Sequence, residues 1–69
     1  MKTKVWLAIL EKLNDEQFDD VWYEYRREFD IEELLVGPMN REQTISYMMR
    51  HRKSRDQFFA DYFERERLT

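Results

Sequence analysis

Apolar residues recur along this chain at helical spacing, and no strand-like alternation of apolar and polar positions survives anywhere. Trp6, Ile9, Leu10 and Leu13 line one side of a predicted helix over about 3–13. Phe18, Val21, Trp22, Tyr25 and Phe29 follow the i, i+3, i+4, i+7, i+11 series of a single buried stripe on a helix over about 15–28. A short helical turn around 31–35 is stopped by Gly37-Pro38, the only glycine and the only proline. Ile45, Met48 and Met49 then align on a helix over about 41–52, and Phe58, Phe59, Tyr62 and Phe63 on one over about 55–67.

Start signals fall between these stripes. Asn14…Gln17, Asp30…Glu33, Asn40…Gln43 and Ser54…Gln57 each place Glu or Gln three residues after a short polar residue, the pattern of a capping box. The pattern predicts an all-α fold: a compact antiparallel bundle of about five short helices, forming one domain over residues 1–69. With 69 residues, such a domain removes only about 60% of its unfolded surface from water. Aromatic bulk from Trp6, Phe18, Trp22, Tyr25, Phe29, Phe58, Phe59, Tyr62 and Phe63 compensates.

Composition narrows the function classes. No cysteine is present, which excludes a disulfide scaffold, a CxxC zinc site and a thiol nucleophile, and fits a reducing, cytoplasmic setting. Met1 to Lys4 ahead of Val5 to Leu10 has the order of a secretory signal, but the apolar run breaks at Glu11-Lys12 and no small-residue cleavage site follows. No stretch approaches the roughly 20 apolar residues of a membrane span.

The residue types of a catalytic site are scattered rather than assembled. The acids lie almost entirely outside the apolar stripes, where a solvated helix surface accounts for them. His51 is the single histidine, sits between Arg50 and Arg52, and lacks a second histidine or a cysteine with which to hold a metal. Ser46 and Ser54 have no base partner, and Ser54 is read as a cap. A single glycine leaves no glycine-rich phosphate loop. The chain is therefore read as non-enzymatic, with no cofactor, metal or small-molecule substrate.

Charge distribution is more informative than the net charge of −3. From Glu11 to Glu33 there are ten acids against Lys12, Arg26 and Arg27; from Arg41 to Arg55 there are five bases against Glu42. Glu16, Asp20 and Glu24 recur every four residues away from the Trp22 stripe, a spacing that costs a helix about 0.2–0.5 kcal/mol per like-charged pair. The helix dipole explains acids at the start of a helix and bases at its end but leaves Asp20 and Glu24 unaccounted for. Tyr23 and Tyr47 fall off their stripes and are candidates for the surface, and tyrosine is favoured at interfaces. Met48 and Met49, beside Ile45, read as core. The expected binding surfaces are an acidic face of Glu16, Asp20, Tyr23 and Glu24 and a basic face of Arg50, Arg52, Lys53 and Arg55. Two such faces on one domain let copies bind head to tail, as a ring, filament or smaller homo-oligomer.

The run from Leu10 to Phe18, the second amphipathic helix, the Phe29 to Leu34 turn, the Gly-Pro loop and the segments Asn40 to Met49 and Ser54 to Phe63 resemble, over about residues 5–67, the bacterial effector-associated, death-like domains. That resemblance implies a death-fold helical bundle serving as an adaptor. Such domains recruit partners carrying a like domain, often joined to a protease, nucleotidase or other effector in bacterial conflict or antiviral signalling. Val21-Trp22 stand where those domains often carry a Leu-Cys pair, and the later loop is poorer in glycine than theirs.

Two other readings compete. A small helical inhibitor, decoy or designed scaffold would bind an unlike protein. A nucleic-acid module would use Arg50, His51, Arg52, Lys53 and Arg55, but this cluster lies at a C-terminal helix end and base-reading helices use their N-terminal part.

Overall fold

A computed structural model describes residues 2–32, 37–51 and 55–68, without the side chains of Lys2 and His51. Among them are four helices and no strand: α1 (Lys2–Lys12), α2 (Asp15–Glu28), α3 (Arg41–His51) and α4 (Arg55–Arg65). The radius of gyration is 11.2 Å, against about 11 Å for a folded domain of this length. The all-helical, compact architecture is thus as expected. The fifth helix is not observed: Ile31 and Glu32 are non-helical, and residues 33–36 lie outside the described residues.

Two of the four start signals form in full. Asn14 Oδ1 accepts from the Gln17 backbone N–H at 2.8 Å while Gln17 Oε1 accepts from the Asn14 N–H at 3.0 Å. Asn40 and Gln43 repeat the exchange at 2.8 and 3.0 Å, and the buried Thr44 hydroxyl donates to the Asn40 carbonyl. Each pair satisfies two backbone donors that a helix start would otherwise leave open. Ser54 lies outside the described residues.

Asp30 takes a different role from the one its spacing predicts. It adopts φ +55°, and the Ile31 N–H bonds back to the Arg26 carbonyl at 2.9 Å. This is a Schellman turn that ends α2. Arg67, at φ +58° with Leu68 N–H on the Phe63 carbonyl at 2.8 Å, ends α4 in the same way. Ile31 and Leu68, the residues after each left-handed position, both pack on the core. Short polar residues serve a helix start and tolerate the left-handed region too, so local pattern cannot separate the two roles.

The core joins all four helices. Trp6, Leu10, Leu13, Phe18, Val21, Tyr25, Ile45, Met48, Phe59, Tyr62 and Phe63 are buried. Tyr25 sits among Phe29, Phe58 and Phe59 at centroid distances of 4.7, 5.2 and 5.8 Å, and Trp6 lies 5.8 Å from both Phe59 and Phe63. The Trp6 indole N–H donates to Asp56 at 2.6 Å, tying α1 to α4. Tyr47 is half-buried edge-on against Trp22 rather than free at the surface.

Arg41 closes the other end. Its Nη2 donates to the Leu10 and Leu13 carbonyls at 2.6 and 2.5 Å, its Nη1 approaches Asp15 at 3.5 Å, and its guanidinium lies 4.6 Å from the Phe18 ring centroid. Charge-assisted bonds to carbonyls at a helix C-terminus are worth about 1.5–3 kcal/mol. Arg41→Ala should lower the urea-unfolding free energy by about 2 kcal/mol, with Arg41→Lys recovering under half, because an ammonium lacks the second nitrogen that approaches Asp15 and the planar group that lies over Phe18. Asp30→Gly should raise it by about 0.5–1 kcal/mol, the gain expected when a left-handed position receives glycine. A fall would mean that Asp30 acts as a helix-start cap.

Candidate protein interface

The row Glu16, Asp20, Glu24 does not run straight along α2. Each step of four residues turns about 40° around the axis, so the row starts on the open face and winds toward α4. Glu16 and Asp20 are exposed, whereas Glu24 is half-buried. Tyr23 stands on the open face at 51% exposure. Its ring is flanked by the Arg26 and Arg27 guanidiniums at 5.9 and 5.7 Å, so the acidic face ends in a cationic patch on its own helix.

Where Glu24 meets α4 there is a groove of about 310 Å³. Phe29 and Phe58, 6.0 Å apart, and Tyr62, stacked on Phe58 at 5.7 Å, form its aromatic floor. Glu24, Glu28, Asp61 and Arg65 form its walls. Asp61 accepts from Gln57 at 2.9 Å, and Arg65 lies 5.0 Å from the Tyr62 ring centroid while bonding Glu66 at 3.2 Å. Burial raises the Tyr62 phenol above its ordinary pKa of 10.0; Glu66, Asp20 and Glu24 raise it further, and Arg65 opposes them. The groove is thus an apolar slot in a negative field, built from two helices far apart in sequence.

The basic face is only partly available for comparison. Arg50 is exposed, with its Nε 3.3 Å from the Ser46 carbonyl of its own helix. Arg55 turns inward, half-buried, and donates to Thr3 Oγ1 at 3.0 Å, which brings the start of α4 against α1. Arg52 and Lys53 lie outside the described residues. Arg41, counted from sequence among the bases of this half, serves the end of α1 instead.

A second surface was not marked by charge or spacing. On α1, Val5 is 51% exposed, Ala8 is exposed and Ile9 half-buried, with Lys4 and Lys12 exposed beside them. The signal was present in the sequence as Val5 and Ala8, apolar residues off the Trp6 stripe, whereas Ile9 was counted on that stripe and is half-buried against the core.

Among the described residues, no group of three or more histidine or acidic side chains could hold a metal ion, and no helix is long and apolar enough to cross a membrane. Compared with protein-family models, curated proteins and solved structures, the chain matches none.

The raised Tyr62 pKa carries a pH prediction. Stability that depends on the neutral phenol is fully present below pH 10.0 and is lost as pH rises through the raised folded-state value. The urea midpoint should therefore fall with rising pH above 10.0, and Tyr62→Phe should fall less steeply over the same range.

Proposed function

We propose that this chain is a non-catalytic protein–protein interaction domain of the death-like kind, an adaptor that binds like domains through oppositely charged helical surfaces. The observation that carries the reading is the convergence of Glu24 and Glu28 of α2 with Asp61 of α4 around the groove, where three carboxylates outnumber Arg65 and Asp20 and Glu66 lie near enough to oppose ionisation of the Tyr62 phenol. Dipole complementarity accounts for Asp15 and Glu16 at the start of α2 and for Arg26 and Arg27 at its end. It gives no reason for carboxylates midway along α2 to face others on α4.

Such a field favours a cationic partner, and the same chain carries one in the exposed Arg50, with Arg52 and Lys53 close to it in sequence, while Arg55 of the expected basic face turns inward to Thr3. Complementary patches of this kind set register and association rate more than affinity. A like domain fused to an effector would be recruited by the same contact, in bacterial effector or antiviral signalling. A nucleic-acid role is less well served, because Arg41 and Arg55 donate to groups inside the domain rather than outward.

Sedimentation velocity across protein concentration and from about 50 to 500 mM salt, a range spanning weak to strong screening, tests the reading. Self-association should weaken steadily with salt. Glu16→Lys/Asp20→Lys and Arg50→Glu should each weaken it at least tenfold, and mixing the two proteins should restore it. Unchanged assembly of both variants would remove the charged faces from the contact. A monomer under every condition would mean that the partner is an unlike protein.

A further inference from the structure

Charge alone yields little affinity between exposed surfaces, so a self-binding domain also needs apolar surface to bury. Among the described residues the exposed large hydrophobics are Val5 and Tyr23. Tyr23 is already occupied by Arg26 and Arg27. Val5 instead heads a strip with Ala8 and the half-buried Ile9, set among the exposed Lys4, Lys12 and Glu11, two cations against one acid. That strip is the chemical complement of the groove between α2 and α4, which is aromatic at its floor and edged by Glu24, Glu28 and Asp61 against the single cation Arg65.

We propose that the outer face of α1 in one copy seats in the α2–α4 groove of a second copy, with Val5 and Ala8 on the Phe29–Phe58 floor and Lys4 and Lys12 on the acidic walls. This rests on the self-association reading above and adds the apolar contact which that reading lacks. The Arg55–Thr3 hydrogen bond holds the start of α4 against the first turn of α1, where the strip begins.

Geometry forbids the same contact within one molecule. Asp56, Phe59 and Phe63 face Trp6 of α1, whereas Gln57, Phe58, Asp61 and Arg65 line the groove. At about 100° per residue these two sets lie roughly 180° apart around α4. With α4 standing between them, the strip and the groove point away from each other. Each copy therefore offers one of each, and the contact is heterologous, propagating from copy to copy. An amphipathic helix laid in a groove is a recurrent recognition mode.

Two variants confined to exposed positions test this without disturbing the core. Val5→Glu/Lys12→Glu spoils the strip and leaves the groove intact; Glu28→Lys/Asp61→Lys spoils the groove and leaves the strip intact. Circular dichroism and urea midpoints check that both fold. In sedimentation velocity at about 50 mM salt, where screening is weak, wild type should form concentration-dependent species larger than a dimer. Each variant alone should stay monomeric, and an equimolar mixture should give a 1:1 complex and nothing larger, since one working contact remains. Variants that assemble like wild type, or a mixture that stays monomeric, would overturn the docking mode. If in the same experiment Glu16→Lys/Asp20→Lys still blocks assembly, the charged-face reading survives while this one fails. A wild type that remains monomeric up to roughly 1 mM, the threshold of very weak binding, would sink both.

Discussion

The bond on which this small domain most depends is the fork of Arg41 across the last carbonyls of α1. A cation at the first position of a helix opposes that helix's own dipole. Arg41 escapes the penalty by reaching away from α3 to the negative end of α1, where Leu10 and Leu13 carbonyls accept from it and the Phe18 ring lies beneath. One side chain thereby ties the end of α1 to the first turns of α2 and α3. The reciprocal Asn40–Gln43 cap holds the backbone of α3 in the position from which that reach is possible.

The opposite end is held by rings. Tyr25, Phe29, Phe58 and Phe59 interlock between α2 and α4, and Trp6 engages Phe59 and Phe63 between α1 and α4. Aromatic side chains supply large burial per residue, which a chain of 69 residues needs. They also make α4 the partition of the domain: α1 packs on one side of it and the α2 groove opens on the other. The two surfaces proposed to meet between copies are directed apart by this arrangement, so a contact between them extends an assembly rather than closing a symmetric pair.

Charge is divided by the fold into what holds the domain and what faces outward. Arg41, Arg55 and Asp56 make hydrogen bonds between elements. Glu16, Asp20 and Arg50 remain exposed. The acidic half and basic half evident along the chain are therefore not two uniform patches: part of each is internal bonding, and the acidic remainder is concentrated by the winding of α2 toward α4.

The sequence by itself determined the four observed helices, their buried stripes and two of their starts, though not the absence of helix at Ile31 and Glu32, because each depends on residues within a few positions of one another. Phe18, Val21 and Tyr25 are buried as their 3.6-residue spacing requires, and Asn14 and Asn40 cap as their spacing to Gln17 and Gln43 requires. The exposure of Glu16, Asp20 and Tyr23 was legible as well, from their positions off the Trp22 stripe. Only the tertiary structure decided that Asp30 ends a helix instead of starting one, that Arg41 and Arg55 turn to other elements, and that Glu24 joins Asp61 at a groove. Periodicity and capping act along one helix, whereas these outcomes follow from which helix faces lie against each other, and that is set by the packing of bulky rings between segments distant in the chain.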